Sequence, residues 1–129
     1  MRVLLDTHVL LWWASKGGSR LSSGARELIG RETTDAAISV VTAFEIAAKE
    51  ALGKLVLPEP ADRYVPRLIA AHSFGVIGVE LAHALRAGSL PQFHRDPFDR
   101  LLIAQAQIEG IPIVTADPAI ARYDVETIW

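Results

Sequence analysis

Short runs of apolar residues alternate with helix-like segments along this chain, and that alternation narrows the folds open to it. Apolar runs short enough to be buried strands occur at 2–5, 36–41, 76–79 and 111–115, with a last edge strand expected at 125–128. Such strands separated by helices are typical of βαβ units around a mostly parallel sheet. The sequence therefore predicts an α/β fold with four to five strands.

The segments between the strands carry helix-boundary signals. Helices are predicted over 9–14, from Ser22 or Ser23 to 29, over 43–52, 60–72, 80–87 and 97–109, with a short one after 117. Thr42 is the expected N-cap of the helix over 43–52. Asp96 and Pro97 are expected to open the helix over 97–109, and Gly110 is expected to end it.

Length and composition limit the class of protein. The 129 residues contain neither an internal repeat nor a linker-like stretch, so one domain over 1–129 is expected. Half of the residues are apolar, which supports a well-filled core. The longest unbroken apolar run, 9–14, is far shorter than the roughly 20 residues of a membrane span, and the first residues lack a signal-peptide pattern.

The absence of cysteine excludes disulfides, thiolate metal sites and cysteine nucleophiles, and we expect a cytoplasmic location. A net charge of −2 argues against tight nonspecific binding of nucleic acid through overall charge. This net charge does not exclude a nucleic-acid enzyme whose acidic site binds metal ions.

Acidic residues occur where a parallel α/β sheet places its functional sites, at the carboxyl ends of strands. Asp6 directly follows the first strand, and Asp117 follows the fourth. Glu45 is expected in the first turn of the helix after the second strand, and Asp99 in the first turn of the helix before the fourth. Asp99 also leads an apolar helix face, which a simple capping residue would have no reason to do.

Clustered carboxylates repel one another unless protons or cations compensate. Hard oxygen ligands without cysteine suit Mg²⁺ or Mn²⁺, and such ions support hydrolysis of phosphodiester bonds. Simpler roles stay open for each acid. Asp6, Asp99 and Asp117 could serve as helix caps or favour a helix dipole, and Glu45 could pair with Lys49.

Four motifs give the chain a resemblance to a known family: LLDTH (4–8), SVVTAFEIAAK (39–49), HRDPFDRLLIAQA (94–106) and VTADP (114–118). Their order and placement resemble the PIN-domain ribonucleases, and most closely the VapC-like toxins of bacterial toxin–antitoxin pairs. The resemblance implies a compact α/β/α sandwich and a metal-dependent endoribonuclease that cleaves single-stranded RNA. It also implies a homodimer and a cognate antitoxin.

Carried over by motif, the resemblance makes Asp6, Glu45, Asp99 and Asp117 the catalytic metal-site acids. Thr7 and Thr115 would support them, with Asp96 as the helix cap beside the site. A further set consists of candidates for RNA contact, namely His8, Lys49, Arg95 and Arg100. Each has a simpler alternative: His8 a polar cap, Lys49 a solvated helix position, and the two arginines ion pairs with Asp96 or Asp99.

Other classes remain to be weighed. A phosphoacceptor receiver domain would need a lysine late in the chain, and a haloacid-type phosphatase would need an acid where His8 stands. Neither requirement is met. A non-catalytic interaction module of the same fold stays open, and metal binding would separate it from an enzyme. A DNA-directed nuclease also stays open, because carboxylates do not recognise a 2′-hydroxyl.

Overall fold

A five-stranded, all-parallel sheet forms the centre of the molecule in this computed structural model, which describes residues 1–15 and 18–129. Its spatial order is β3-β2-β1-β4-β5, so the first strand of the chain lies in the middle. The strands are β1 (Arg2–Leu5), β2 (Asp35–Ser39), β3 (Gly75–Ile77), β4 (Ile113–Val114) and β5 (Thr127–Ile128). The predicted parallel α/β sheet of four to five strands is confirmed.

Six α-helices are found among the described residues, and they connect the strands. They are α1 (Thr7–Ala14), α2 (Ser23–Gly30), α3 (Val40–Ala51), α4 (Ala61–His72), α5 (Leu81–Ser89) and α6 (Pro97–Glu109). The boundaries of α6 follow the predicted signals. Asp96 Oδ1 accepts a hydrogen bond from the Phe98 backbone N–H at 2.8 Å, and Gly110 adopts a left-handed conformation with φ of 67°.

The boundary between β2 and α3 differs from the sequence prediction. The strand ends at Ser39, and α3 begins at Val40, within the apolar run that was predicted to be strand. Ser39, and not Thr42, is the N-cap, because its Oγ accepts the Val41 backbone N–H at 3.0 Å. Glu45 consequently lies in the second turn of α3 and not in the first. The segment after Asp117 forms a 3₁₀ turn over Ile120–Arg122 in place of a short α-helix.

Helices cover both faces of the sheet. Alternate residues of a strand point to opposite faces, and β1 divides accordingly, with Val3 and Leu5 in one apolar cluster and Leu4 in the other. The first cluster includes residues of α1, α2 and α4, whereas the second includes Leu102 and Ile103 of α6. The expected α/β/α sandwich is therefore present. None of the helices among the described residues is long and apolar enough to cross a membrane.

Candidate metal centre

The carboxyl ends of β1, β2 and β4 meet at one edge of the sheet, because these three strands are adjacent and parallel. Asp6 follows β1 and occupies the N-cap position of α1, but its side chain makes no capping hydrogen bond. Its Oδ2 accepts a hydrogen bond from Thr115 Oγ1 at 2.8 Å. Its Oδ1 is buried and has no hydrogen-bond partner among the described residues. The capping alternative for Asp6 is therefore not observed.

Thr115 links Asp6 to the segment after β4. The backbone N–H of Asp117 donates to Thr115 Oγ1 at 3.0 Å, so this one hydroxyl bonds to both acidic segments. Asp117 Oδ1 accepts the backbone N–H of Ala119 at 2.9 Å. Asp117 therefore does form the turn-stabilising hydrogen bond that its cap-like sequence indicated. Its second oxygen, Oδ2, faces the ring of His94, with 3.1 Å to Nε2.

Glu45 approaches the same edge of the sheet from α3. It is buried, with 2% exposure, and its two carboxylate oxygens have different partners. Thr7 Oγ1 donates to Oε1 at 2.9 Å, and the ammonium group of Lys49 donates to Oε2. Thr42 lies 3.0 Å from the Thr7 hydroxyl, oxygen to oxygen. The ion pair predicted as an alternative for Glu45 is thus present, with Glu45 buried and Lys49 part-exposed.

Asp99 projects from the first turn of α6, one turn beyond the cap residue Asp96. Its Oδ2 lies 2.9 Å from His94 Nε2. One ligand atom each from His94, Asp99 and Asp117 can be chosen so that all lie within 4.8 Å of one another. Residues from three separate segments thus form one compact polar cluster at the sheet edge.

The charges of these acids act on one another. The pKa of Asp99 is raised to about 7, first by burial and then by the negative charges of Asp6, Asp96 and Glu45, against a lowering effect from His94. Burial also raises the pKa of Asp6, which hydrogen bonding from Thr115 opposes, and the charge of Asp117 adds to the increase. The charges of the four predicted acids are therefore connected in series: Asp117 acts on Asp6, and both Asp6 and Glu45 act on Asp99.

The arrangement fits a divalent cation. An unpartnered, buried carboxylate oxygen such as Asp6 Oδ1 is costly unless a proton or a cation compensates it. The neighbouring acids disfavour one another's charge, and a cation would remove that repulsion. Carboxylates are the ligands that Mg²⁺ and Mn²⁺ prefer.

Basic side chains lie near the acidic residues. His8 and Arg95 are exposed, and Lys49 is part-exposed at its ion pair with Glu45. A groove of about 630 Å³ begins beside the cluster, and its lining includes Thr7, His8, Trp12, Arg20, Lys49 and Lys54. Its mixture of cationic and aromatic side chains is of the kind that binds phosphates and bases.

Arg100 does not belong to this set, and both sequence interpretations of it are wrong. The residue is buried, with 8% exposure, so its guanidinium group is not available to RNA. It forms no ion pair with Asp96 or Asp99. Its nitrogens donate to four backbone carbonyl oxygens at 2.8–3.3 Å, those of Ala87, Leu90, Pro91 and His94. Arg100 therefore organises the loop between α5 and α6.

The sequence analysis gave no site role to two residues found here. His94 appeared only within the motif 94–106, and Thr42 was predicted to be a helix cap. A signal for Thr42 was available, because it lies three residues before Glu45 and shares that face of the helix. The partners of His94 are 5 and 23 residues away in sequence, and local pattern does not reveal the longer contact.

The fold and the site define a class: a parallel α/β domain with a carboxylate cluster at the carboxyl edge of its sheet. Within that class, the family model described as "PIN domain" matches residues 3–126. The chain therefore belongs to the PIN-domain family. Members of this family are typically nucleases, and they typically bind a divalent metal through acidic residues.

Solved structures of similar fold come from toxin–antitoxin complexes. VapBC2 from Rickettsia felis, bound to a promoter DNA fragment, matches with a TM-score of 0.72 at 15% identity over 99% of this chain and 98% of that one. DNA-bound VapBC from Salmonella typhimurium matches with 0.72 at 18% over 99% and 97%. A toxin–antitoxin complex from Klebsiella pneumoniae matches with 0.67 at 19% over 98% and 96%. A search of curated proteins by sequence gives no match.

Proposed function

We propose that this chain is a metal-dependent endoribonuclease that hydrolyses phosphodiester bonds in single-stranded RNA. The observation that carries the proposal is the buried, unpartnered Oδ1 of Asp6, in an acid whose charge acts on Asp99 and is acted on by Asp117 at the same sheet edge. The negative charges of these acids repel one another, and a bound cation would remove that repulsion. Family membership supports a nuclease, and the exposed cations beside the acids support a polyanionic substrate.

The acids divide into two groups in this proposal. Asp6, Asp99 and Glu45 would hold a first Mg²⁺ or Mn²⁺ ion, and Asp117 would help to place a second ion or its waters. When bound, a divalent cation activates a water as nucleophile and offsets charge on the phosphoryl group. Thr115 donates to Oδ2 of Asp6, so Oδ1 would be free to hold the cation. Both oxygens of Glu45 accept hydrogen bonds, from Thr7 and Lys49, so a cation would share Glu45 with these two side chains.

The side chains around the acids orient the substrate. The cationic groups of Lys49 and Arg95 would attract the phosphates on either side of the scissile bond, and the His8 ring would donate a hydrogen bond to one of them. Lys49 also holds Glu45 in place, so its charge is shared between the site and the substrate. We place the RNA along the groove that His8 and Lys49 line.

We further propose that the chain acts in the cytoplasm as the toxin of a toxin–antitoxin pair, as a homodimer that a cognate antitoxin inhibits. The similar solved structures support this, since they contain toxins with antitoxins. Co-expression with the protein encoded beside it, followed by co-purification and light scattering, tests both partners. A monomer that binds no such protein would contradict this part of the proposal.

Cleavage of a mixed-sequence single-stranded RNA tests the activity. Purified protein is incubated with Mg²⁺, Mn²⁺ or EDTA, beside Asp6→Asn and the exposed control Asp124→Asn. We expect metal-dependent cuts by the wild type and Asp124→Asn, and at least 100-fold slower cleavage by Asp6→Asn. A folded Asp6→Asn protein that cleaves at the normal rate would contradict the site.

The same assay distinguishes the alternative functions. A matching single-stranded DNA substrate is included in each reaction. Preferential cleavage of the DNA would replace the proposed substrate with DNA. No cleavage of either substrate, together with no metal binding in a titration, would favour a non-catalytic interaction module.

A further inference from the structure

His94 is fixed at every one of its polar groups. Its backbone N–H donates to Tyr123 Oη at 2.8 Å, and its carbonyl oxygen accepts from the Arg100 guanidinium at 3.3 Å. Its ring nitrogen Nδ1 accepts the backbone N–H of Asp96 at 3.3 Å. The other ring nitrogen, Nε2, lies 2.9 Å from Asp99 Oδ2 and 3.1 Å from Asp117 Oδ2. These contacts fix the orientation of the His94 ring at the edge of the acidic cluster.

The hydrogen bond at Nδ1 determines the state of the ring. A nitrogen that accepts an N–H bond carries no proton of its own, so the proton of the neutral ring is on Nε2. The Nε2–H group therefore donates to the two carboxylates. Coordination of a metal through Nε2 would require the proton to move to Nδ1, where it would face the N–H of Asp96.

We propose that His94 is a positioning residue for the metal centre. Its Nε2–H contacts Oδ2 of both Asp99 and Asp117 and so holds these two oxygens close together, although the residues are 18 positions apart in sequence. We call this arrangement the clamp. With Oδ2 of Asp99 held in this way, the carboxylate would have a fixed orientation in which to hold the cation. The inference rests on the proposed metal-dependent function and deepens it, because it gives the metal site a support that is not itself a ligand.

The surroundings of His94 are built to hold this clamp. Arg100 bonds to four carbonyl groups of the preceding turn and loop, and Tyr123 Oη donates to Pro91 O at 2.6 Å while it accepts from His94. The loop is therefore fastened to α6 on one side and to the segment before β5 on the other. Such anchoring restricts the ring without placing another ligand in the site.

The test measures Mn²⁺ binding, which does not depend on activity. Free Mn²⁺ is followed by electron paramagnetic resonance during titration of wild type, His94→Leu and His94→Gln. Removal of the donor in His94→Leu is expected to weaken binding about 10–100-fold, the usual effect of losing an outer hydrogen-bond partner of a metal ligand. The amide of glutamine places an N–H near the position of Nε2, so His94→Gln is expected to recover most of the affinity.

His83 offers a matched control. Its Nδ1 accepts the backbone N–H of Glu80 at 3.0 Å, and its Nε2 lies 3.1 Å from Glu109 Oε1, so its ring has the same pattern of partners. It is fully buried between α5 and α6 and has no contact with the acidic cluster. His83→Gln is therefore expected to change thermal stability and to leave Mn²⁺ affinity within about twofold.

Pulsed electron paramagnetic resonance on the wild-type Mn²⁺ complex gives an independent result that needs no variant. We expect no coupling to a directly bound ring nitrogen. Such a coupling would make His94 a ligand and overturn the proposal, as would unchanged affinity in folded His94→Leu. If His94→Leu does not fold, His94→Gln and the wild-type spectrum decide. Wild-type protein that binds no Mn²⁺ overturns both proposals, whereas binding with the His94 effects but without RNA cleavage overturns only the proposed activity.

Discussion

The carboxyl group of Asp99 lies in surroundings that disfavour its charge. Its pKa of about 7 stands well above its ordinary value of 3.8, so between these two values the native state binds a proton that the unfolded chain has released. Stability from this group is complete below pH 4 and is lost as the pH rises through 7. The metal-free protein therefore stores electrostatic repulsion in its own site at neutral pH.

Asp99→Asn should relieve this repulsion. We expect the variant to raise the Tm of the metal-free protein by several degrees at pH 8 and by little at pH 4, because the wild-type carboxyl is largely neutral at the lower pH. Thermal unfolding followed by circular dichroism in EDTA measures both values, with exposed Asp124→Asn as the control. A lower Tm for Asp99→Asn at pH 8 would contradict the unfavourable charge.

Single residues also show what the sequence could reveal. Local signals identified Asp96 as a cap and Gly110 as a helix end, because each makes its bonds within its own turn. Asp6 and Asp117 were likewise predicted from local sequence, because each follows a predicted strand. The roles of Arg100 and His94 depend on carbonyl groups and carboxylates that only the folded loop brings near. Sequence position therefore predicted the acids, and the resemblance added the two threonines that bond to them, Thr7 and Thr115, but neither predicted the contacts of His94 and Arg100.

At the scale of elements, the connection between α5 and α6 depends on one guanidinium group. Arg100→Met would leave the carbonyl groups of Ala87 and Leu90 buried without their charged donor. We expect a loss of about 3 kcal/mol in the free energy of unfolding. Urea denaturation at 25 °C measures it. Exposed Arg95→Met should stay within about 0.5 kcal/mol of wild type, and equal effects of the two substitutions would contradict this role for Arg100.

Helix α4 contains a proline in its interior, at position 66. Proline has no N–H, so the carbonyl of Asp62 lacks the usual helical donor there. Because Pro66 is exposed, Pro66→Ala should restore that bond without disturbing the core, and raise the free energy of unfolding by about 1–3 kcal/mol. Urea denaturation tests this, with Pro58→Ala outside the helices as control. A destabilised Pro66→Ala protein would contradict it.

The sequence predicted the number and type of the strands and helices better than it predicted where each begins and ends. The run over 36–41 is apolar throughout, and a buried strand and the first turn of a buried helix have the same composition there. The structure ends the strand at Ser39, whose hydroxyl caps α3. Two residues shift from strand to helix as a result, and Glu45 moves to the second turn. That shift does not remove Glu45 from the sheet edge, so the predicted site tolerates the error.

At the scale of the whole molecule, the proposed metal centre joins distant parts of the chain. The proposed ligands Asp6, Glu45 and Asp99 are far apart in sequence and come together only on folding. A cation held by them would therefore bind the native state and not the unfolded one. Mn²⁺ at about 100 times its dissociation constant should therefore add about 2.7 kcal/mol to the free energy of unfolding. Thermal shift measures the effect, and Asp6→Asn should lose most of it. An equal shift in Asp6→Asn would indicate binding elsewhere.

The sequence predicted a mostly parallel sheet but not the order of its strands. Alternation of strands and helices requires parallel pairing, whereas order depends on which helix covers which face. The central position of β1 follows from its burial on both sides, with Val3, Leu4 and Leu5 all fully covered. An apolar run alone does not distinguish that place from the place of β2.

The central position of β1 has a consequence for synthesis. Asp6 is synthesised long before Thr115, whose hydroxyl orients it from 109 residues later in the chain, and β4, which flanks β1, comes equally late. No nascent chain can therefore assemble the acidic edge before β4 and Thr115 have been synthesised. A chain with the proposed activity would be inactive until then, and a message interrupted before β4 would yield only an inert fragment.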